Sequence, residues 1–185
     1  FFTIAYIVAC VLAIRNIERG SSLINSDQTG TGKGRTVAAL IRYAMKRGLT
    51  PVFITAKKAL YSDMAGRDLP DIGVNDFEPV VTDKNIQWIG PDGKERKQRL
   101  TTEEANNAFA EIAKTGKLPA GKQAFFTTID QLQADKPPGM PKEEPKDVAK
   151  RKKDRKPRKL GPIMEAIKGL APNAIIIMDE AHLAA

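Results

Sequence analysis

Three apolar runs, at residues 51–55, 123–127 and 174–178, constrain this chain more than any other feature. Each is strand-length and apolar almost throughout, the pattern of a strand buried on both faces rather than one with a wet side. Between them lie segments with helical spacing, so strands and helices alternate. Alternation of this kind predicts an α/β fold with a mainly parallel central sheet covered by helices on both sides. At 185 residues the chain is long enough for one substantial core and too short for two independent catalytic domains.

The segments between the runs are individually readable. Val37, Leu40, Ile41, Ala44 and Met45 recur at helical spacing, and Gly48 supplies a stop. Residues 59–69 read as one helix closed near Pro70 and Gly73, and residues 86–100 as a hairpin around Pro91-Asp92-Gly93. Thr102 with Glu103 and Glu104 opens a helix running to about Lys114; shorter helices are expected at 129–132 and 162–170. Residues 22–25 form a short candidate strand ahead of a glycine-rich turn. The uncharged run at 1–14 is shorter than the roughly 20 residues a bilayer span needs, and it lacks the basic leader and cleavage site of a signal peptide. It predicts a core helix that continues upstream, since the chain starts without Met, and no membrane association. Cys10 is the only cysteine, which excludes an internal disulfide and points to a packing role in a reducing, intracellular setting.

Net charge is +8, but it is unevenly distributed. Residues 136–159 hold 11 Lys or Arg against 4 Asp or Glu, so this stretch carries +7 of the total. With five prolines and little apolar surface it cannot offset its ordering entropy, and it reads as a flexible basic insertion in an otherwise single domain spanning 1–185. It is either a solvated loop or a tether for nucleic acid, where basic side chains displace counterions from phosphates.

The chemistry is concentrated at two places. A strand, a glycine-rich turn and a helix N-terminus aim backbone N–H groups and the positive end of a helix dipole at one point, which makes an anion site. In Asp27-Gln-Thr-Gly-Thr-Gly-Lys33, Gly30 and Gly32 allow close backbone approach to phosphates, and Lys33 reaches the terminal ones. The usual phosphate-loop pattern G-x-x-x-x-G-K-[ST] is not matched at its ends, where Asp27 and Gly34 stand. Gly34 leaves the metal-ligating hydroxyl to another residue: Thr36 is preferred, with Thr29 and Thr31 inside the loop as alternatives. The second place is the end of the run at 174–178, expected to be a central strand, where Asp179 suits a magnesium ligand and Glu180 the orientation or deprotonation of attacking water. An exposed turn with a lysine, and a solvated acidic strand cap, are the structural alternatives.

Asp179-Glu-Ala-His182 resembles the second motif of DEAH-type superfamily-two helicases, and the turn from Asp27 to Lys33 resembles their first. The run Asp27-x-Thr-Gly-x-Gly-Lys-Gly-Arg35-Thr36, followed by Leu60-Tyr61-x-Asp63 and Arg67-Asp-Leu-x-Asp-Ile-Gly73, is similar to the ATPase domain of the Strawberry notch family, where Gly-Lys-Gly-Arg is the usual form. The resemblance spans about residues 22–182 without the basic insertion. It implies a RecA-like P-loop three-layer sandwich, the first lobe only, in which Thr29, Gly30, Thr31, Gly32, Lys33, Gly34, Arg35 and Thr36 bind ATP. By the same resemblance Asp179, with Thr36, holds Mg²⁺, Glu180 handles water, and His182 couples the nucleotide site to neighbouring motifs. Residues 55–57 and 127–128 are candidates for backbone contacts with nucleic acid, or ordinary strand ends.

The implied activity is that of an ATP hydrolase in a helicase-like or translocase-like motor acting on nucleic acid, with DNA favoured over RNA. The alternative is a P-loop ATPase that remodels protein complexes or serves transcriptional co-regulation without strand separation. Motors of this kind place ATP between two RecA-like lobes, and the second supplies an arginine. The chain is therefore expected to be part of a larger protein and nearly inactive alone; nothing in it points to a homo-oligomer.

Overall fold

The computed structural model describes residues 4–24, 33–133 and 161–179. Its centre is a parallel four-stranded sheet with the order β2-β5-β1-β6, where β1 is Thr50–Thr55, β2 Pro79–Val81, β5 Ala124–Thr128 and β6 Ala174–Met178. A separate antiparallel hairpin joins β3 (Asn85–Ile89) to β4 (Glu95–Arg99) through the turn at Gly93, whose φ of 73° suits a residue without Cβ.

Side chains of the central strands alternate between two cores because successive residues face opposite sides of the pleat. On one face, Phe53, Phe126, Ile175 and Ile177 meet Ala38, Ile41 and Ala44 of α2 (Lys33–Lys46). On the other, Val52, Ile54 and Phe125 meet Phe109 and Ile112 of α4 (Thr102–Thr115) and Ile167 and Leu170 of α6 (Pro162–Leu170). The mixed α/β class with a parallel sheet is thus the one expected, with helices on both sides. On the α2 face the ring of Phe126 lies 5.0 Å from Phe53 and 5.6 Å from both Tyr61 and Phe77, separations at which aromatic pairs are favourable. Across the other face α4 and α6 approach closely: a Cβ on Gly169 would stand 2.6 Å from the carbonyl oxygen of Ala113, so only glycine fits.

Local signals produce most elements as expected. Thr101 accepts from the Glu104 N–H at 3.2 Å while the Glu104 carboxylate accepts from the Thr101 N–H at 2.8 Å, closing a capping box, and Gly116 ends α4 at φ 65°. After β5, α5 (Ile129–Gln133) follows without a break.

Four expectations are corrected. The apolar run near the N-terminus does form a helix, α1 (Ile4–Glu18), but it is not in the core: it lies on α2 with Ile7, Val8, Val11 and Leu12 about half exposed and, among its described side chains, only Ala13 buried. The candidate strand at 22–25 makes no strand over 22–24, where Ile24 is 90% exposed, and Asn25 lies outside the described residues. The single helix expected at 59–69 divides into α3 (Ala59–Asp63), a wide π turn Met64–Asp68 and a 3₁₀ turn Pro70–Ile72, ending at Gly73 with φ 80°. A Cβ on Gly66 would come 2.9 Å from Ile89 Cγ2, so β3 presses against the helix where it widens. Finally, β6 is not central among the described strands: of these it pairs with β1 alone, and Ile176 and Met178, which share a face with Val52 and Ile54, are exposed where α4 and α6 do not reach. The basic stretch at 136–159 lies outside the described residues. No helix among the described residues is long and apolar enough to cross a membrane.

Candidate nucleotide site

The connection between α2 and β1 fixes where Lys33 must lie. Helix α2 packs on β1 and β6 and ends at Gly48, after which the N–H of Leu49 donates back to the Ala44 carbonyl at 2.9 Å and β1 begins. Asn173, just before β6, donates to the Gly48 carbonyl at 3.1 Å, so both strands start at this end. A helix of 14 residues rises about 21 Å and a strand of 6 spans about 20 Å, so the N-terminus of α2 returns to the carboxyl edge of the sheet. Lys33 is the first residue of α2. Asp179 follows β6 at that same edge, half-buried, with its N–H donating to the Ile54 carbonyl at 2.8 Å. Thr55 ends β1 beside it and is fully buried; its Oγ1 is the buried side-chain polar atom that finds no hydrogen-bond partner among the described residues. Such an atom costs on the order of 1–3 kcal/mol and is retained mainly at sites with another use for it.

The N-terminal half of α2 is clamped to the π and 3₁₀ turns. A Cβ added to Gly34 would overlap Oδ2 of Asp68 and stand 3.1 Å from its Cγ, so the absent side chain makes room for that carboxylate. Asp68 is 6% exposed; Arg67 Nε donates to its Oδ1 at 2.9 Å and Arg67 Nη2 reaches Oδ2 at 3.4 Å. One turn along, Arg35 pairs with Asp71 at 2.9 Å, and Arg42 donates to the Ile72 carbonyl. The cluster Arg67-Asp-Leu-x-Asp-Ile-Gly73 is therefore the surface on which the Lys33-Gly-Arg-Thr36 segment rests.

The remaining site residues divide between described and undescribed positions. Thr29, Gly30, Thr31, Gly32, Glu180 and His182 lie outside the described residues. Thr36 is 8% exposed and turned toward α1, where its hydroxyl shares a hydrogen bond with the Cys10 thiol. Burial raises the Cys10 pKa, against the lowering effect of its bonds to Tyr6 and Thr36, and the same burial pushes the Tyr6 phenol up to about 12. Arg35 is exposed on the far side of this contact, with its carbonyl accepting from Tyr6 Oη at 3.0 Å. The fit to a magnesium nucleotide rests on an amine at a helix N-terminus, a strand-end carboxylate, and a second carboxylate in the cradle at Gly34.

A second feature occupies the α4 and α6 face at the same edge: a cavity of about 570 Å³ lined by Lys58, Thr82, Lys84, Asn106, Phe109 and Gln131, among others. Thr82 Oγ1 lies 3.0 Å from Thr127 Oγ1 and within reach of Gln131 Oε1. Asp83 is buried, ion-paired to Lys58, and accepts from Tyr61 Oη at 3.3 Å. Burial first, and then the Asp83 charge, raises the Tyr61 pKa far above the usual phenol value. Thr55, Thr127 and Thr128 are buried, so of the expected backbone contacts Lys57 is the exposed one. Asp68 and Asp83 are not among the residues expected at these places from the sequence, although Asp68 lies inside the Arg67 to Gly73 motif.

No curated protein and no solved structure matches the chain. One family does, over residues 9–185: that described as the type III restriction enzyme, res subunit. This match covers nearly the whole sequence, and it agrees with the mixed α/β fold and its parallel sheet. The chain belongs to the family of the type III restriction enzyme res subunit, which carries a helicase superfamily-two RecA-like ATPase domain.

Proposed function

We propose that this chain is the ATP-binding lobe of a motor of the Strawberry notch type that acts on nucleic acid, DNA in preference to RNA, and completes its site with an arginine from a second RecA-like lobe. The observation that carries the reading is the arrival of Lys33 and Asp179, from segments far apart in sequence, at one edge of a parallel sheet. In this reading the backbone from Thr29 to Gly34 cradles phosphates and Lys33 neutralises the terminal ones. Asp179 holds Mg²⁺, which when bound offsets charge on the phosphate oxygens. Glu180 orients water and takes its proton, and His182 relays the state of the site to the neighbouring motifs. The cavity beside Lys58 and Gln131, on the opposite face but at the same edge, suits a nucleic-acid backbone, with Lys58, Lys84 and Asn106 of its lining as contacts.

The test is ATP hydrolysis by the uncut protein, second RecA-like lobe included, with DNA, with RNA and with neither. Stimulation by nucleic acid is expected. Lys33→Ala should weaken nucleotide binding by about 2 kcal/mol, the worth of a hydrogen bond to a charged group. Glu180→Gln should keep nucleotide affinity and lose turnover by about a hundredfold or more. Hydrolysis indifferent to both nucleic acids would favour the remodelling ATPase instead.

A further inference from the structure

The position after the phosphate-loop lysine ordinarily carries a hydroxyl that faces the metal, and here it is Gly34. Thr36 is turned away: two residues along a helix is a rotation of about 200°, and its side chain is buried rather than open to a ligand. The space that a side chain at position 34 would fill is taken by another oxygen, Oδ2 of Asp68, delivered by the π turn Met64–Asp68.

We propose that Asp68 supplies, through Oδ2, the metal-facing oxygen that Gly34 lacks, and so acts with Asp179 as a ligand for the magnesium of bound nucleotide. This rests on the reading of Lys33 and Asp179 as the nucleotide site. Three features support it. The two oxygens of Asp68 are unequally engaged, with Oδ1 held by Arg67 Nε at 2.9 Å and Oδ2, the one beside Gly34, met by Arg67 only at 3.4 Å. The carboxylate is 6% exposed and its ion-pair partner among the described residues, Arg67, is 62% exposed on its side chain, an arrangement that leaves a buried charge suited to a further cation. A carboxylate is moreover a harder and more highly charged donor to Mg²⁺ than a hydroxyl, so the exchange of residue positions keeps the chemistry. Glycine at 34 is then required by the carboxylate rather than by backbone strain.

The experiment measures affinity of the full chain for a fluorescent ATP analogue, with Mg²⁺ and with EDTA, together with the electron paramagnetic resonance signal of Mn²⁺ added with nucleotide. Asp68→Asn is expected to cut the metal-dependent gain in affinity by about tenfold or more, the scale on which metal sites respond to lost donors, and to leave the EDTA value within about twofold. It should also weaken Mn²⁺ capture. The pair Gly34→Ser with Asp68→Ala, which returns a hydroxyl to the vacated space, should recover most of that gain, whereas Asp68→Ala alone should not. An unchanged metal-dependent gain in Asp68→Asn overturns the proposal, as does an equal loss with and without metal, which would mark a purely structural clamp. Wild-type protein that binds no nucleotide under either condition would remove the underlying site reading as well, so the two failures are distinguishable.

Discussion

Asp68 and Asp83 are both buried, and both face a cation that stays open to solvent, yet their carboxylates are held in different ways. Asp83 takes an ion pair from Lys58 on one oxygen and the Tyr61 hydroxyl on the other, while Gln98 Nε2 donates to its backbone carbonyl at 2.6 Å. Every direction around it is occupied by the fold. Asp68 is bonded by its sequence neighbour Arg67, and its second oxygen lies against the missing side chain of Gly34. A buried charge satisfied from distant elements ties those elements together; one satisfied locally, beside a cradle, retains capacity for a ligand. Asp83 thus joins the end of β2 to α3, and Asp68 joins α2 to chemistry.

The largest effect should come from removing the cation that serves Asp83. Lys58→Met leaves that carboxylate buried with a single hydroxyl donor and should cost about 3 kcal/mol, read by urea denaturation. A loss under about 1 kcal/mol would mean that the pair is as weak as a surface bridge. Next in size is the contrast between the two acids themselves. Asp83→Asn should cost about 2 kcal/mol by weakening charge-assisted bonds, and Asp68→Asn about 1 kcal/mol, since Arg67 keeps its acceptor. Equal costs would break the comparison. Tyr61→Phe should fall near 1 kcal/mol, the net worth of one hydrogen bond, and a neutral result would show that Lys58 suffices alone.

An acid at the surface gives the smallest effect and a reference for both. The N–H of Thr101, and then its hydroxyl, hold the Glu104 carboxyl below its ordinary value of 4.5. Because folding lowers this pKa, the stabilisation is complete above the unfolded value and fades as pH falls through the lowered folded one. The stability gap between wild type and Glu104→Gln should therefore narrow from pH 7 to pH 3; a gap that stays constant would assign the box to geometry rather than charge.

Much of the fold was legible because its signals are local. The spacing of Val37, Leu40, Ile41 and Ala44, the cap at Thr101 and Glu104, and the apolar runs that became β1, β5 and β6 each act within a few residues of themselves. The misreadings arose where neighbours decide. An apolar run reports that a strand can be buried, not which strands flank it, so the run at 174–178 predicts a central strand where β6 is the last of the described strands. For the run that forms α1, apolarity alone points to the core, whereas among the described residues it packs mainly on α2. The widening at Gly66 depends on contact with Ile89, 23 residues downstream, which no helical periodicity records.

For the site the division is similar. Lys33 and Asp179 were recognisable because a phosphate loop and a strand-end acid are short motifs whose chemistry follows from residue type and spacing. By itself, then, the sequence determined the α/β alternation and the kinship with helicase superfamily-two RecA-like ATPase domains. Only the tertiary structure decided which oxygen stands beside Gly34, because Thr36 is its neighbour along the chain whereas Asp68 reaches it through the docking of a π turn on α2. Proximity in sequence fixes helical phase, and phase turns Thr36 away; proximity in space is set by packing, and packing brings Asp68 in.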